Sequence, residues 1–217
     1  MIKDALIISL KTATISTLLT TIIGVILAYK MSKYKGIGKN IIESFLMFPL
    51  FFPPSVIGYI VLVVFGKNGA IGSTLNSLFN LEIIFTIKGA IIAMFIVSLP
   101  IIYQSSKAAF MEVKKEYKEA AKIDGANDYD IFLKIVLPIS KKGIFGGMIL
   151  AFGRAFGEFG ATMMVSGNIP GKTQNIPMAM YYFVEGGNFK EANIVLMIVI
   201  IISTTLIFIH NKLLKTN

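Results

Sequence analysis

Five long apolar runs govern what this chain can fold into, at residues 6–29, 41–65, 89–103, 143–165 and 192–209. A hydrocarbon core about 30 Å thick takes roughly 20 apolar residues per helical crossing, and lipid offers no partner to an open backbone N–H or C=O. The expected fold class is therefore all-α and polytopic, one membrane-embedded domain over residues 1–217 with five transmembrane helices. Composition points the same way: 55% of residues are hydrophobic and 15% charged, where soluble domains carry about 25% charged residues. The absence of cysteine excludes disulfide frameworks, thiolate metal sites and thiol nucleophiles. The first run exceeds the roughly 7–15 apolar residues of a signal peptide and lacks an A-x-A-like cleavage site, so it reads as a retained span. Pro49, Pro53 and Pro54 interrupt the second run, where they should kink or unwind it.

Lysines orient the runs, because cationic loops stay on the cytoplasmic side. Lys30, Lys33, Lys35 and Lys39 follow the first run, eight lysines from Lys107 to Lys142 separate the third from the fourth, and Lys212 and Lys215 follow the fifth. The opposite loops hold Lys3, Lys67, Lys88, Lys172 and Lys190. An outside N-terminus and a cytoplasmic C-terminus are expected. The formal charge of +9 is then topology, with membrane lipid rather than nucleic acid as the neighbour.

The cytoplasmic stretch 107–138 is the most informative. Residues 107–122 are strongly helix-forming, with Glu112 and Glu116 spaced to pair with lysines three or four positions on. Gly125 suits a left-handed helix stop, and Asn127 offers an N-cap to a second short helix that Pro138 should end. Phe132, Ile135 and Val136 give that second helix a broad apolar face in need of a partner.

Glu119-Ala120-Ala121, then Gly125, Ile135, Leu137 and Pro138 match E-A-A-x3-G-x9-I-x-L-P at every defined position, and so resemble the cytoplasmic loop of ABC importer permeases. The resemblance implies the type I importer permease fold and a coupling helix that docks on an ATP-binding subunit. Residues 153–162 (GRAFGEFGAT), 167–173 (GNIPGKT) and 176–181 (IPMAMY) resemble molybdate permeases. Sulfate permeases share the G-E-[FY]-G core and are the alternative; tungstate is barely separable from molybdate.

By that resemblance the chain is not an enzyme and carries no cofactor. ATP and Mg belong to a partner ATPase pair, and an extracytoplasmic molybdate-binding protein delivers the solute to a permease in the inner (cytoplasmic) membrane. A homodimer is expected, since one set of five spans is too small to enclose a path for a dianion. A stand-alone channel or ion-coupled carrier is the rival from another class; it needs no docking loop, and carriers usually show inverted repeats. A bare membrane anchor fits poorly with a broken span and intramembrane charges.

Candidate pathway or gate residues are Pro53, Pro54, Arg154, Glu158, Phe159, Gly160 and Thr162. Arg154, the only arginine, lies one helical turn from Glu158. Charges at this depth cost about 2.5–3.5 kcal/mol each on insertion scales, so both should face protein or a water-filled cavity. Two roles are open: a structural ion pair beside the pathway, or direct attraction of the oxyanion by the guanidinium. The external loop with Asn168, Pro170, Gly171 and Thr173 is either an ordered connector or a lip of the path that meets the binding protein. It is no phosphate-cradling loop, since three residues separate its glycines where that motif needs four. Gly143/Gly147 and Gly153/Gly157 allow close helix approach. The Ser/Thr stripe of the first run suits interhelical hydrogen bonds better than solute contact, and the lone His210 makes no metal site.

Overall fold

A computed structural model describes residues 1–215. Its described residues are helical or connecting segments: α1 (Ile2–Lys33), α2 (Lys39–Phe51), α3 (Pro54–Phe65), α4 (Gly72–Phe79), α5 (Ile87–Met111), α6 (Lys115–Ile123), α7 (Asp128–Ile131), α8 (Leu137–Phe156), α9 (Gly160–Ser166), α10 (Ile176–Glu185) and α11 (Phe189–Lys215). Four stretches are long and apolar enough to cross a membrane alone, namely α1, α5, the continuous Asp128–Phe156 stretch and α11. The pair α2 and α3 passes that test together but is bent by 114°.

Register makes this bent pair a single crossing. Thr20 of α1 meets Ser98 of α5 at 3.2 Å, and a Cβ at Gly24 would lie 2.4 Å from Ile102 Cγ2. Both contacts join residues 78 apart (98 − 20 and 102 − 24), so α1 and α5 run parallel. The chain between them must return across the bilayer. α8 runs antiparallel to α5, with Gly143 against Ala109 and Gly147 against Ser105, and Gly146 of α8 faces His210 of α11.

The α1–α5 seam is built from small and hydroxyl residues. Ser9, Thr12, Ser16 and Thr20 are fully buried along one side of α1. Thr12 and Thr20 donate to the carbonyls of Ile8 and Ser16, one turn back in their own helix, and Thr20–Ser98 bonds across the seam. Close packing of small residues therefore holds the two helices together, as expected where lipid removes any hydrophobic drive between spans.

Three sequence-based expectations are corrected by the structure. The third span does not end at residue 103: α5 continues to Met111, because Ala109 and Phe110 are buried against the end of α8 and the second cytoplasmic helix. The solvated helix therefore starts at Lys115, and its ion pair is Lys115–Glu119 at 3.0 Å. Pro138 does not end a helix. A π turn over Phe132–Val136, in which the Leu137 N–H reaches back five residues to the Phe132 carbonyl, carries the backbone into α8 with Pro138 in its first turn. The missing proline N–H is thereby accommodated. Finally, the fourth span is not continuous to Val165: it breaks at 157–159 and resumes as α9.

The second span also breaks, as its prolines suggest, but at Phe52–Pro53; Pro49 stays inside α2. Of the glycine pairs, Gly143 and Gly147 serve α5–α8 packing, while Gly153 has nothing within 4 Å of a Cβ.

Candidate functional site

Two sites stand at opposite ends of the α5–α8 pair. On the side of the lysine-rich loops, α6 ends at Ile123, is capped by Asp124, and the chain turns through Gly125 at φ +83. The Gly125 N–H donates to the Lys122 carbonyl and the Ala126 N–H to the Ala121 carbonyl. This is the six-to-one and five-to-two pattern that closes a helix with a left-handed residue. Asn127 Oδ1 then accepts the N–H groups of Tyr129 and Asp130 at 3.0 and 2.9 Å, capping α7. Gly125, through its backbone, and Asn127, through its side-chain cap, thus set the angle between the two helices.

The apolar face of the second helix finds its partner within the chain. The Phe132 ring packs 4.3 Å from Tyr29 of α1 and 6.2 Å from Phe110 of α5. Val136 is fully buried. The Tyr29 hydroxyl donates to the Asp128 carbonyl, and Lys33 pairs with the Asp128 carboxylate at 3.0 Å. Lys118 reaches the Phe110 carbonyl at the end of α5; partial burial, and then the nearby Lys33 charge, hold it below the usual lysine value. Ser140 of α8 donates to the Ala109 carbonyl. The element is therefore fastened to the ends of α1, α5 and α8 together.

Its outer face stays open. Glu119, Ala120 and Gly125 are exposed, Ala121, Ile135 and Leu137 are half-buried, and Pro138 is exposed. Ala120, Ala121 and Ile135 border a shallow depression of about 430 Å³ with Tyr117, Lys134 and Ile139. Small residues leave it open, and apolar side chains at its edge give a docking partner something to bury.

Gly125 has nothing within 4 Å of a Cβ, so substitution there acts by backbone strain and not by collision. Gly125→Val should cost about 1–2 kcal/mol locally and turn α6 away, whereas Gly125→Asn, which tolerates this conformation, should cost less. Membrane insertion should survive in both. Co-purification with an ATP-binding subunit, compared between the two variants, checks this.

At the other site, Arg154 of α8 donates to Glu158 Oε2 at 2.5 Å across the break in the fourth span. Glu158 is 1% exposed, and its other carboxylate oxygen accepts the Ala161 N–H at 2.7 Å at the start of α9. The Glu158 carbonyl accepts from Asn175 Nδ2, which also reaches the Thr162 hydroxyl at 3.1 Å. Asn175 Oδ1 caps α10 through the Met178 N–H, and the next N–H, Ile176, is accepted by Ser9 Oγ of α1 at 2.8 Å. The broken span is thereby tied to α10 and α1 by buried polar groups whose open backbone ends are met.

The prolines of the second break come to the same place. A Cβ at Gly160 would lie 3.1 Å from Pro54 Cβ, and one at Gly58 of α3 would lie 2.9 Å from both Cα and O of Ala161. Pro53, Pro54, Phe159 and Gly160 are open or half-open on this face, with the Phe159 ring 5.4 Å from Tyr181. Thr162 is fully buried, and the Arg154 side chain is 33% exposed. The seven candidate gate residues thus gather where two broken spans meet.

The external loop is ordered by Thr173. Its hydroxyl donates to the Gly167 carbonyl and accepts the Ile169 N–H, while the N–H groups of Lys172, Thr173 and Gln174 converge on the Ile169 carbonyl. Gly167 and Gly171 take positive φ. Pro170 and Gly171 are exposed at the tip, and Asn168 is half-buried.

Ser9 and Asn175 carry no pattern in the sequence; only the fold brings them to the two sides of the start of α10. The same holds for Glu43 of α2, which accepts from Lys107 Nζ at 2.6 Å and the Tyr103 hydroxyl at 2.8 Å of α5.

The family profile described as "Binding-protein-dependent transport system inner membrane component" matches residues 20–215. The molybdenum transport system permease protein ModB of Escherichia coli K12 is 35% identical over 193 residues, 88% of this chain and 84% of that one. Its Haemophilus influenzae namesake is 35% identical over 188 residues, 87% and 82% of the two chains. A Nephroselmis olivacea chain named "Probable sulfate transport system permease protein cysT" is 30% identical over 210 residues, 97% and 74% of the two. Among solved structures, a chain of a bacterial alginate ABC transporter superposes with a TM-score of 0.76 at 14% identity, covering 98% of this chain and 77% of that one. A chain of the inward-facing MetNI methionine ABC transporter gives 0.71 at 15% identity, covering 96% and 92%. At such identities these likenesses speak for the fold alone. Profile and relatives together place the chain in the family of inner-membrane components of binding-protein-dependent transport systems, as a multi-pass ABC transporter permease subunit of the type I fold.

Proposed function

We propose that this chain is the permease of an ATP-driven molybdate importer, working as a homodimer with two cytoplasmic ATP-binding subunits and an extracytoplasmic molybdate-binding protein. The observation that carries the reading is the Glu119–Pro138 element: an open outer face, its turn set by Gly125 and Asn127, on an element fastened to three spans at once. A push on that face moves the ends of α1, α5 and α8 together, and α8 leads directly to the broken span at Arg154–Glu158. ATP and Mg act on the partner, and this chain supplies no cofactor. Its N-terminus lies outside and its C-terminus in the cytoplasm.

The second copy is expected against α2 and α3. None of α2 is buried, although it lies among spans and mixes Asn40, Glu43 and Ser44 with Phe45, Phe48 and Phe51. A polar and aromatic intramembrane face of this kind suits a water-filled path between two copies.

The substrate assignment rests on the residues at 153–181 and on relatives named for molybdenum at 35% identity, against 30% and 32% for two named for sulfate. Uptake into proteoliposomes holding the full complex tests it, with molybdate, tungstate and sulfate in competition. Tungstate should compete with molybdate and sulfate should not. Preferential sulfate uptake would overturn the assignment.

A further inference from the structure

The turn between α1 and α2 has a composition that neither docking nor the pathway uses. It is five residues long, Tyr34 to Gly38, and joins the same-side ends of two membrane helices. So short a link stays beside the two helix ends it joins. At its tip Ile37, between two glycines, is fully exposed.

Residues 29–42 hold four lysines and no carboxylate. The nearest acids are already taken: Asp128 is held by Lys33 and Lys122, and Glu43 by Lys107. Among the described residues Lys30 and Lys35 form no ion pair, and both are exposed. An exposed apolar tip with the unpaired lysines Lys30 and Lys35 on its α1 side matches an anionic phospholipid, whose acyl chain takes the isoleucine and whose phosphate takes the lysines.

We propose that the Lys30–Lys39 turn is a contact for anionic lipid of the cytoplasmic leaflet. The proposal rests on the cytoplasmic placement of that turn given above. Because the chain has no cysteine, Ile37→Cys gives a single thiol for a fluorophore. In bilayers of mixed phosphatidylglycerol and phosphatidylcholine, quenching by acyl-brominated phosphatidylglycerol should exceed that by brominated phosphatidylcholine. The excess should fall about fivefold for each of Lys30→Gln and Lys35→Gln and shrink at high salt, with thermal stability unchanged. Equal quenching by the two lipids overturns the proposal, as does a label that an added ATP-binding subunit shields from both. An impermeant thiol reagent reports the side: labelling from outside overturns the orientation and this proposal together, whereas labelling from inside with equal quenching overturns this proposal alone.

Discussion

Arg154→Gln should lower the stability of the detergent-extracted protein by about 3 kcal/mol, more than Glu158→Gln, and the double substitution should recover most of the loss. The asymmetry follows from burial. Glu158 is 1% exposed and loses its cationic partner when Arg154 goes, leaving a charge in a site that water does not reach. Breaking a buried pair from one side costs about 3–5 kcal/mol. Glu158→Gln leaves an amide oxygen for the Ala161 N–H and strands only Arg154, whose side chain is 33% exposed and can draw on water. Thermal unfolding of the three variants gives the order, and their uptake gives the role. Recovered stability with recovered uptake makes the pair structural. Recovered stability without uptake makes Arg154 a contact for the oxyanion.

Gly58→Val should prevent correct assembly of the two broken spans. A Cβ there would sit 2.9 Å from Ala161 Cα and O and 2.8 Å from Met164 Cβ. Backbone atoms cannot step aside, so α3 must move off α9. Forcing atoms into a packed contact costs about 1–3 kcal/mol for one added group, and valine adds two methyls beyond the first. Gly58→Ala should already lose about 2 kcal/mol by that measure. Gly153→Ala is the control: it lies on α8 with nothing within 4 Å, so it should change stability by less than about 1 kcal/mol, in the favourable direction. Equal behaviour of the two alanine variants in thermal unfolding would show that the α3–α9 approach is not tight.

What local chemistry dictates could be read from the residues. Gly125 announced a left-handed stop and Asn127 a cap, and both are as the spacing suggests. The lysine-rich segment 107–142 joins α5 to α8, which run antiparallel. Where tertiary contacts decide, the sequence was opaque. Pro138 reads as a helix end because its ring and missing N–H forbid an ordinary turn, and a π turn five residues long removes that conflict without a local sequence sign. The extra turns of α5 follow from burial of Ala109 and Phe110 under Gly143 and Phe132, which lie more than 20 residues further on. The break at 157–159 had glycines on both sides, but the partners that make it tolerable, Asn175 and Ser9, are 17 and 149 residues from Glu158 (175 − 158 and 158 − 9). The Ser/Thr stripe suggests interhelical hydrogen bonds, but in the structure Thr12, Thr20 and Thr21 bond mainly to carbonyls of α1 itself, with Thr20–Ser98 crossing the seam.

The central claim is that this chain moves its solute only when an ATP-binding subunit drives the Glu119–Pro138 face. It can be put to one measurement: molybdate accumulation in proteoliposomes holding this chain alone, or this chain with its ATP-binding subunit, binding protein and ATP. The account predicts accumulation in the complete system and none with the chain alone, even down a concentration gradient. Uptake by the chain alone would make it a channel or carrier and contradict the account.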